Sequence, residues 1–116
     1  MDETAREVRV ARNEALFREV NERVKELNVR LHVDTPEWVC ECADAECVQQ
    51  IPLSLADYER IRRIPTHFLV LPGHVYADVE RVVEEHEGYV VVEKHGNAGA
   101  EAIRLDREEA AGAPSR

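Results

Sequence analysis

All three cysteines of this 116-residue chain fall between positions 40 and 47, in the run Val39-Cys40-Glu41-Cys42-Ala43-Asp44-Ala45-Glu46-Cys47. This C-x-C-x4-C pattern constrains the fold more than any other feature. A chain this short buries only a modest core, and small domains often gain stability from a metal, a disulfide or a partner. A Cys40–Cys42 disulfide would be strained, because one residue separates the two half-cystines. Pairing Cys47 with either of the others leaves one thiol over. Three thiolates in one short loop suit zinc, which structural sites hold in a tetrahedron of cysteine and histidine ligands. One zinc ion held by Cys40, Cys42, Cys47 and a fourth group is therefore expected. The spacing only half meets the usual C-x2–4-C pair, since C-x-C is tighter and C-x4-C sits at its long end.

The chain has five histidines. His74 follows Pro72-Gly73 on a tight turn at the end of the apolar run His67-Phe68-Leu69-Val70-Leu71. A glycine there lets the backbone approach a site closely and leaves the imidazole projecting from a fixed point. His74 is the first choice for the fourth ligand. His67, His32, His86, His95 or a water are the alternatives.

The N-terminal residues Met-Asp-Glu-Thr-Ala-Arg-Glu lack the basic start and apolar core of a secretory signal. No run approaches the roughly 20 apolar residues that span a bilayer. The expected location is cytoplasmic, where thiols stay reduced and clustered cysteines point to metal or redox chemistry. Of the net charge of −9, residues 1–31 contribute nothing, with seven basic and seven acidic groups; the acidic excess lies entirely in the remaining 85 residues. Such a surface repels phosphate backbones, and 5% aromatic content offers little stacking area, so nucleic acid is disfavoured as a partner.

With 44% hydrophobic and 34% charged residues the chain is globular rather than wholly disordered, and the order of its expected helices and strands makes it α+β. No Gly or Pro interrupts from about Thr4 to Asn28, where apolar residues recur at helical spacing. Val10, Phe17, Val24 and Leu31 occupy one heptad position; Asn13, Val20 and Leu27 occupy the other. Glu14–Arg18 and Glu19–Arg23 are expected on outward faces as i,i+4 pairs. The apolar stripe either covers the protein's own sheet or forms a coiled-coil seam for a homodimer or a partner helix, with Asn13 setting register.

Beyond Asp34-Thr35-Pro36, a turn signal, short strands are expected at Trp38-Val39-Cys40 and Val48–Leu53, with Trp38 a core anchor. Ser54 caps a helix whose buried stripe is Leu55, Tyr58, Ile61 and Ile64, and Pro65 ends it. The helix's arginines suit its C-terminal dipole end. His67–Leu71 reads as a buried strand. Val79–Glu85 and Tyr89–Lys94 read as a hairpin turning at His86-Glu87-Gly88, and the chain from Gly96 reads as a disordered tail. The expected division is a helix over 1–31, a small α+β zinc-binding domain over 32–95, and the tail over 96–116.

Val39-Cys40-Glu41-Cys42…Cys47, Leu55…Tyr58-Glu59…Arg62, Phe68…Pro72-Gly73-His74, Tyr89-Val90-Val91-Val92-Glu93-Lys94 and the helix stretch Arg12–Asn21 together resemble a family of small uncharacterised bacterial proteins. The resemblance covers roughly residues 8–94. It implies a shared fold and site rather than an activity, and it favours His74 beside the three cysteines.

No Walker loop, dinucleotide glycine fingerprint, G-x-S-x-G or H-E-x-x-H pattern is present. The leading expectation is a non-enzymatic zinc-stabilised module for protein–protein interaction or regulation, with no catalytic residues. One alternative is a zinc-thiolate redox switch, opposed by Glu41, Asp44 and Glu46, whose charge would raise the thiol pKa values. Another is a catalytic zinc with three cysteines and a water, Glu41 or Glu46 serving as base.

Overall fold

A computed structural model describes residues 3–112 except Ala43 and Ala45. Its elements, in chain order, are α1 (Glu3–Arg30), β1 (Glu37–Val39), β2 (Gln50–Pro52), α2 (Leu55–Arg62), β3 (His67–Val70), β4 (Glu80–His86), β5 (Tyr89–Lys94) and α3 (Gly96–Gly112). The fold is α+β: a long N-terminal helix, two small antiparallel sheets and a cysteine loop between the strands of the first.

The first sheet is the pair β1–β2, with Trp38 opposite Ile51. Its ladder continues one step further, because the Cys40 N–H donates to the Gln49 carbonyl at 2.9 Å. The cysteine loop thus springs from the open end of a hairpin-like frame. The second sheet has the order β3-β5-β4. Central β5 is a run of valines, as a strand covered on both faces requires, and Val90, Val91 and Val92 are all buried. The β4–β5 turn closes over Glu87-Gly88, with Gly88 at φ 91°, a left-handed conformation glycine adopts without steric cost. Val83 falls in a register shift of β4, between the pairs Val82↔Val92 and Glu84↔Val91.

Helix α2 begins as its sequence predicts, the Ser54 hydroxyl accepting from the Asp57 N–H at 3.1 Å. Tyr58 and Ile61 face the core, whereas Ile64, expected to join them, lies beyond the helix and is exposed. Trp38 is wholly buried and stacks on Tyr58 at 4.0 Å between centroids, 10° from parallel. Its indole N–H donates to the Leu53 carbonyl at 2.7 Å. Such a stack contributes about 0.5–1.5 kcal/mol beyond the area it buries.

Helix α1 is where pattern reading and structure part. The buried face is Val10, Ala11, Glu14, Arg18 and Asn21, and three of those five are polar. Glu14 and Arg18, expected as an outward surface pair, point inward. Glu14 meets the ammonium of Lys94, which also pairs with Glu80, all three side chains being shut off from solvent. Arg18 lies over the Phe68 ring at 3.7 Å and donates to the carbonyls of Pro65 and His67. The expected stripe is split: Val10 is buried and Val24 packs part-buried against the core, whereas Val20 and Leu27 are 40% and 54% exposed, Leu31 is 60% exposed, and Leu16 beside them is 55% exposed. The physical reason is that each inward polar group finds a fixed partner, which an apolar stripe would leave stranded.

From Gly96 the chain is helix α3 where a disordered tail is expected. Ala98 and Ala102 are buried against the rest of the fold, and small side chains let α3 approach α1 closely. Arg12–Glu101 links the two helices, and Arg62 joins Glu22 of α1 to Asp106 of α3. Residues 113–116 of that tail lie outside the described residues. Among the described residues no helix is long and apolar enough to cross a membrane.

Candidate metal centre

Two structural pieces supply the four candidate groups. Cys40, Cys42 and Cys47 sit on the loop that leaves β1, and all three are buried. Asp44 braces the loop: its carboxylate accepts from the Glu46 N–H at 2.9 Å and its carbonyl from the Cys47 N–H at 3.0 Å. These local bonds bring Cys47 back toward Cys40 without a regular element.

The second piece is the turn after β3. The His74 N–H donates to the Leu71 carbonyl at 3.0 Å, closing a four-residue turn with Pro72 and Gly73 at its centre. Proline presets the first central position, and Gly73 at φ 88° takes the left-handed second one, the signature of a type II turn. The turn also offers a backbone donor, since the Leu71 N–H points at the Cys40 sulfur at 3.2 Å. A sulfur that accepts an N–H is better suited to carry thiolate charge.

The four groups converge. His74 Nδ1 is 3.7 Å from the Cys40 sulfur and 3.7 Å from the Cys47 sulfur. The four ligand atoms of Cys40, Cys42, Cys47 and His74 all lie within 4.8 Å of one another. A tetrahedron with metal–sulfur bonds of about 2.3 Å and a metal–nitrogen bond of about 2.0–2.1 Å has S···N edges of about 3.6 Å. The spacing therefore fits a single ion. The ligand nitrogen would be Nδ1, leaving the proton on Nε2.

The other histidines are placed elsewhere. His67 Nε2 lies 3.2 Å from Glu93 Oε2. His86 stacks on Tyr89 and lies 2.9 Å from Glu84. His32 takes a left-handed turn conformation (φ 59°) just beyond α1, and His95 is exposed at the end of β5. The arginines of α2 are engaged by acids, Arg60 with Glu84 and Arg62 with Glu22 and Asp106.

Burial pushes the Cys40 thiol well above its ordinary range and the Cys42 thiol up, and charge on the neighbouring cysteine sulfurs adds to both. The acidic residues of the loop are not the main cause. Glu41, flanked by two of the cysteines, turns inward and is buried, away from any role as a solvent-facing base. Its carboxylate accepts from Asn21 Nδ2 at 2.9 Å, the Tyr58 hydroxyl at 2.5 Å and the Leu69 N–H at 3.0 Å. Its own N–H donates to the Leu69 carbonyl at 2.7 Å. Sequence reading misses this role. A glutamate beside cysteines carries no local mark of burial, and the three donors come from residues 17 to 28 positions away.

Searches against protein-family models, curated proteins and solved structures return no match for this chain. They supply no family for the segments on which the resemblance to small bacterial proteins is read.

Proposed function

We propose that the protein is a non-enzymatic module built on one zinc ion, held by Cys40, Cys42, Cys47 and His74, that serves protein–protein interaction or regulation. The observation that carries this reading is the convergence of three sulfurs and one imidazole nitrogen within 4.8 Å. Zinc is favoured because soft thiolates with one imidazole at tetrahedral spacing are its usual structural set. A filled shell of four protein ligands leaves no position for a substrate or an activated water, which speaks against a catalytic ion. Structural zinc supplies about 10–16 kcal/mol in small peptides at neutral pH, more than a core of this size provides alone. Burial that keeps the metal-free thiols protonated slows their reaction with oxidants, so a redox switch is the less favoured reading.

The outer face of α1 is the interaction surface in this proposal. Leu16, Val20 and Leu27 share one side of the helix, Leu31 follows just past its end, and all four are exposed. Glu19 and Glu26 alternate with Arg23 and Arg30 along it, so a second copy of the same helix carries the opposite charges needed beside it.

Metal analysis of the purified chain tests the zinc centre, with one equivalent expected and binding lost in Cys40→Ser, Cys42→Ser and Cys47→Ser variants. A protein without zinc that stays folded in chelator would sink it. Sedimentation of the full chain against a Leu16→Ser/Leu27→Ser variant tests the helix face. A monomer in both cases removes the second copy as the occupant.

A further inference from the structure

We infer that metal occupancy of the cysteine loop controls whether α1 is docked, and that Glu41 and Asn21 carry the coupling. The inference rests on the zinc reading and adds its regulation.

Little fully buried apolar surface holds α1. Of its described residues only Val10 and Ala11 are fully buried apolar groups, with Val24 packed part-buried against the core, while Glu14, Arg18 and Asn21 form the rest of the buried face. A helix attached mainly by polar contacts stays attached only while its partners keep their positions, because hydrogen bonds are directional and hydrophobic contacts are not. Three bonds from one side chain, the Asn21 amide, end on Val39 and Glu41. These are the residues on either side of Cys40. Glu41 is in turn flanked by Cys40 and Cys42, and it reaches β3 through its backbone and α2 through its carboxylate.

A metal bond at Cys40 and Cys42 therefore clamps the backbone on both sides of Glu41. Without the ion, three buried thiols have no mutual attraction to hold the loop, and nothing in the loop's sequence builds a regular element around Glu41. The position of the Glu41 carboxylate, and with it the Asn21 docking point, is then held only by its bonds to Leu69 and Tyr58 and by the Asp44 brace of the loop. The contacts of β3, β4 and β5 with one another do not pass through the loop. Loss of the ion should release α1 while the three-stranded sheet persists, uncovering Phe68 and the buried charges of Lys94 and Glu80. Two sites joined by such an element are coupled reciprocally: whatever factor docking gains from zinc, zinc gains from docking.

Hydrogen exchange on the full chain, with its zinc content measured first, tests this. On removal of zinc by chelator, the amides of residues 13–24 should lose protection by at least about tenfold while those of β3 and β5 keep theirs. Asn21→Ala, read by competition with a chromophoric chelator, should weaken zinc binding by about tenfold, whereas Leu16→Ala on the outer face should leave it unchanged. A chain that takes up no zinc overturns the metal reading and this inference with it. A chain that binds zinc but loses sheet and helix protection together, or keeps α1 protected without zinc, overturns the coupling and leaves the metal centre standing. Unchanged zinc affinity in Asn21→Ala does the same.

Discussion

The side-chain amide of Asn21 pairs with the backbone of Val39 as a neighbouring strand would. Nδ2 donates to the Val39 carbonyl and Oδ1 accepts from the Val39 N–H, both at 2.8 Å. A helix residue thus completes the edge of a two-stranded sheet, and the second Nδ2 proton goes to Glu41. Asn21→Ala leaves the part-buried N–H and carbonyl of Val39 without partners, while Glu41 Oε2 loses one of its two donors and keeps the Tyr58 hydroxyl. Each buried group left unpaired costs about 1–3 kcal/mol, partly relieved by water at a helix edge. A loss of about 2–4 kcal/mol in the zinc-loaded protein is expected by chemical denaturation. Asn21→Asp keeps the shape but faces Glu41 with a second carboxylate, so it should be no better than alanine.

His74 and its turn make a second pair of expectations. His74→Ala removes the one nitrogen of the proposed ligand set and should weaken metal binding about 100-fold or more. The cobalt-substituted protein should keep its thiolate charge-transfer bands while its visible bands change as a water or chelator nitrogen replaces the imidazole. An unaltered spectrum and affinity would remove His74 from the site. Gly73→Ala is milder. No atom lies within 4 Å of the added Cβ, so its effect is the backbone strain of φ 88° alone. That strain is about 1 kcal/mol, and it falls on the turn that aims the imidazole.

These sites differ in how far the sequence foretells them. The cysteine loop and the Pro-Gly-His turn are local signals, so Cys40, Cys42, Cys47 and His74 can be named before any fold is known. The hairpin Glu80–Lys94 and the Ser54 cap are local too. The face of α1 is not. Heptad counting assigns Val20 and Leu27 to a stripe and Glu14 and Arg18 to the outside, because it scores each side chain without its partner. Glu14 is buried because Lys94 is there, 80 positions later, and Arg18 because the carbonyls of Pro65 and His67 end β3's edge. Helix α3 fails for a related reason: its alanines bury against α1, which composition cannot reveal.

Tyr58 offers a spectroscopic check on the Glu41 junction. Burial, then the Glu41 carboxylate, hold its phenol far above the ordinary value of 10. A raised acid keeps its proton in the folded state, so its contribution to stability is full below about pH 10 and is lost as pH rises beyond it. The Tyr58 share of the phenolate absorbance should appear only as the protein unfolds in alkali. In Tyr58→Phe that share is gone, the stack on Trp38 remains, and the cost should be about 1–2 kcal/mol for the lost bond to Glu41. A full phenolate signal at pH 11 in a protein still folded by circular dichroism would contradict the buried junction.

Glu14 sets the acid side. Burial raises its carboxyl from 4.5 to about 7, and Lys94 only partly offsets that. Between those two pH values the unfolded chain has released the proton and the folded one has not, so this group's stability is full below about pH 4.5 and falls as pH rises toward 7. Lys94 works in the other direction, because burial lowers its pKa and favours folding as pH rises toward its unfolded value. Metal binding also strengthens with pH, since its ligands must lose protons. The whole-protein profile therefore mixes signs, and the difference between wild type and Glu14→Gln reports the carboxyl together with the change its loss makes at Lys94, whose pKa Glu14 raises. At equal zinc loading, wild type should lose about 3 kcal/mol relative to Glu14→Gln between pH 4.5 and 7, by urea denaturation. Parallel profiles across that window would mean that burial does not raise the Glu14 carboxyl beyond what its pairing with Lys94 offsets.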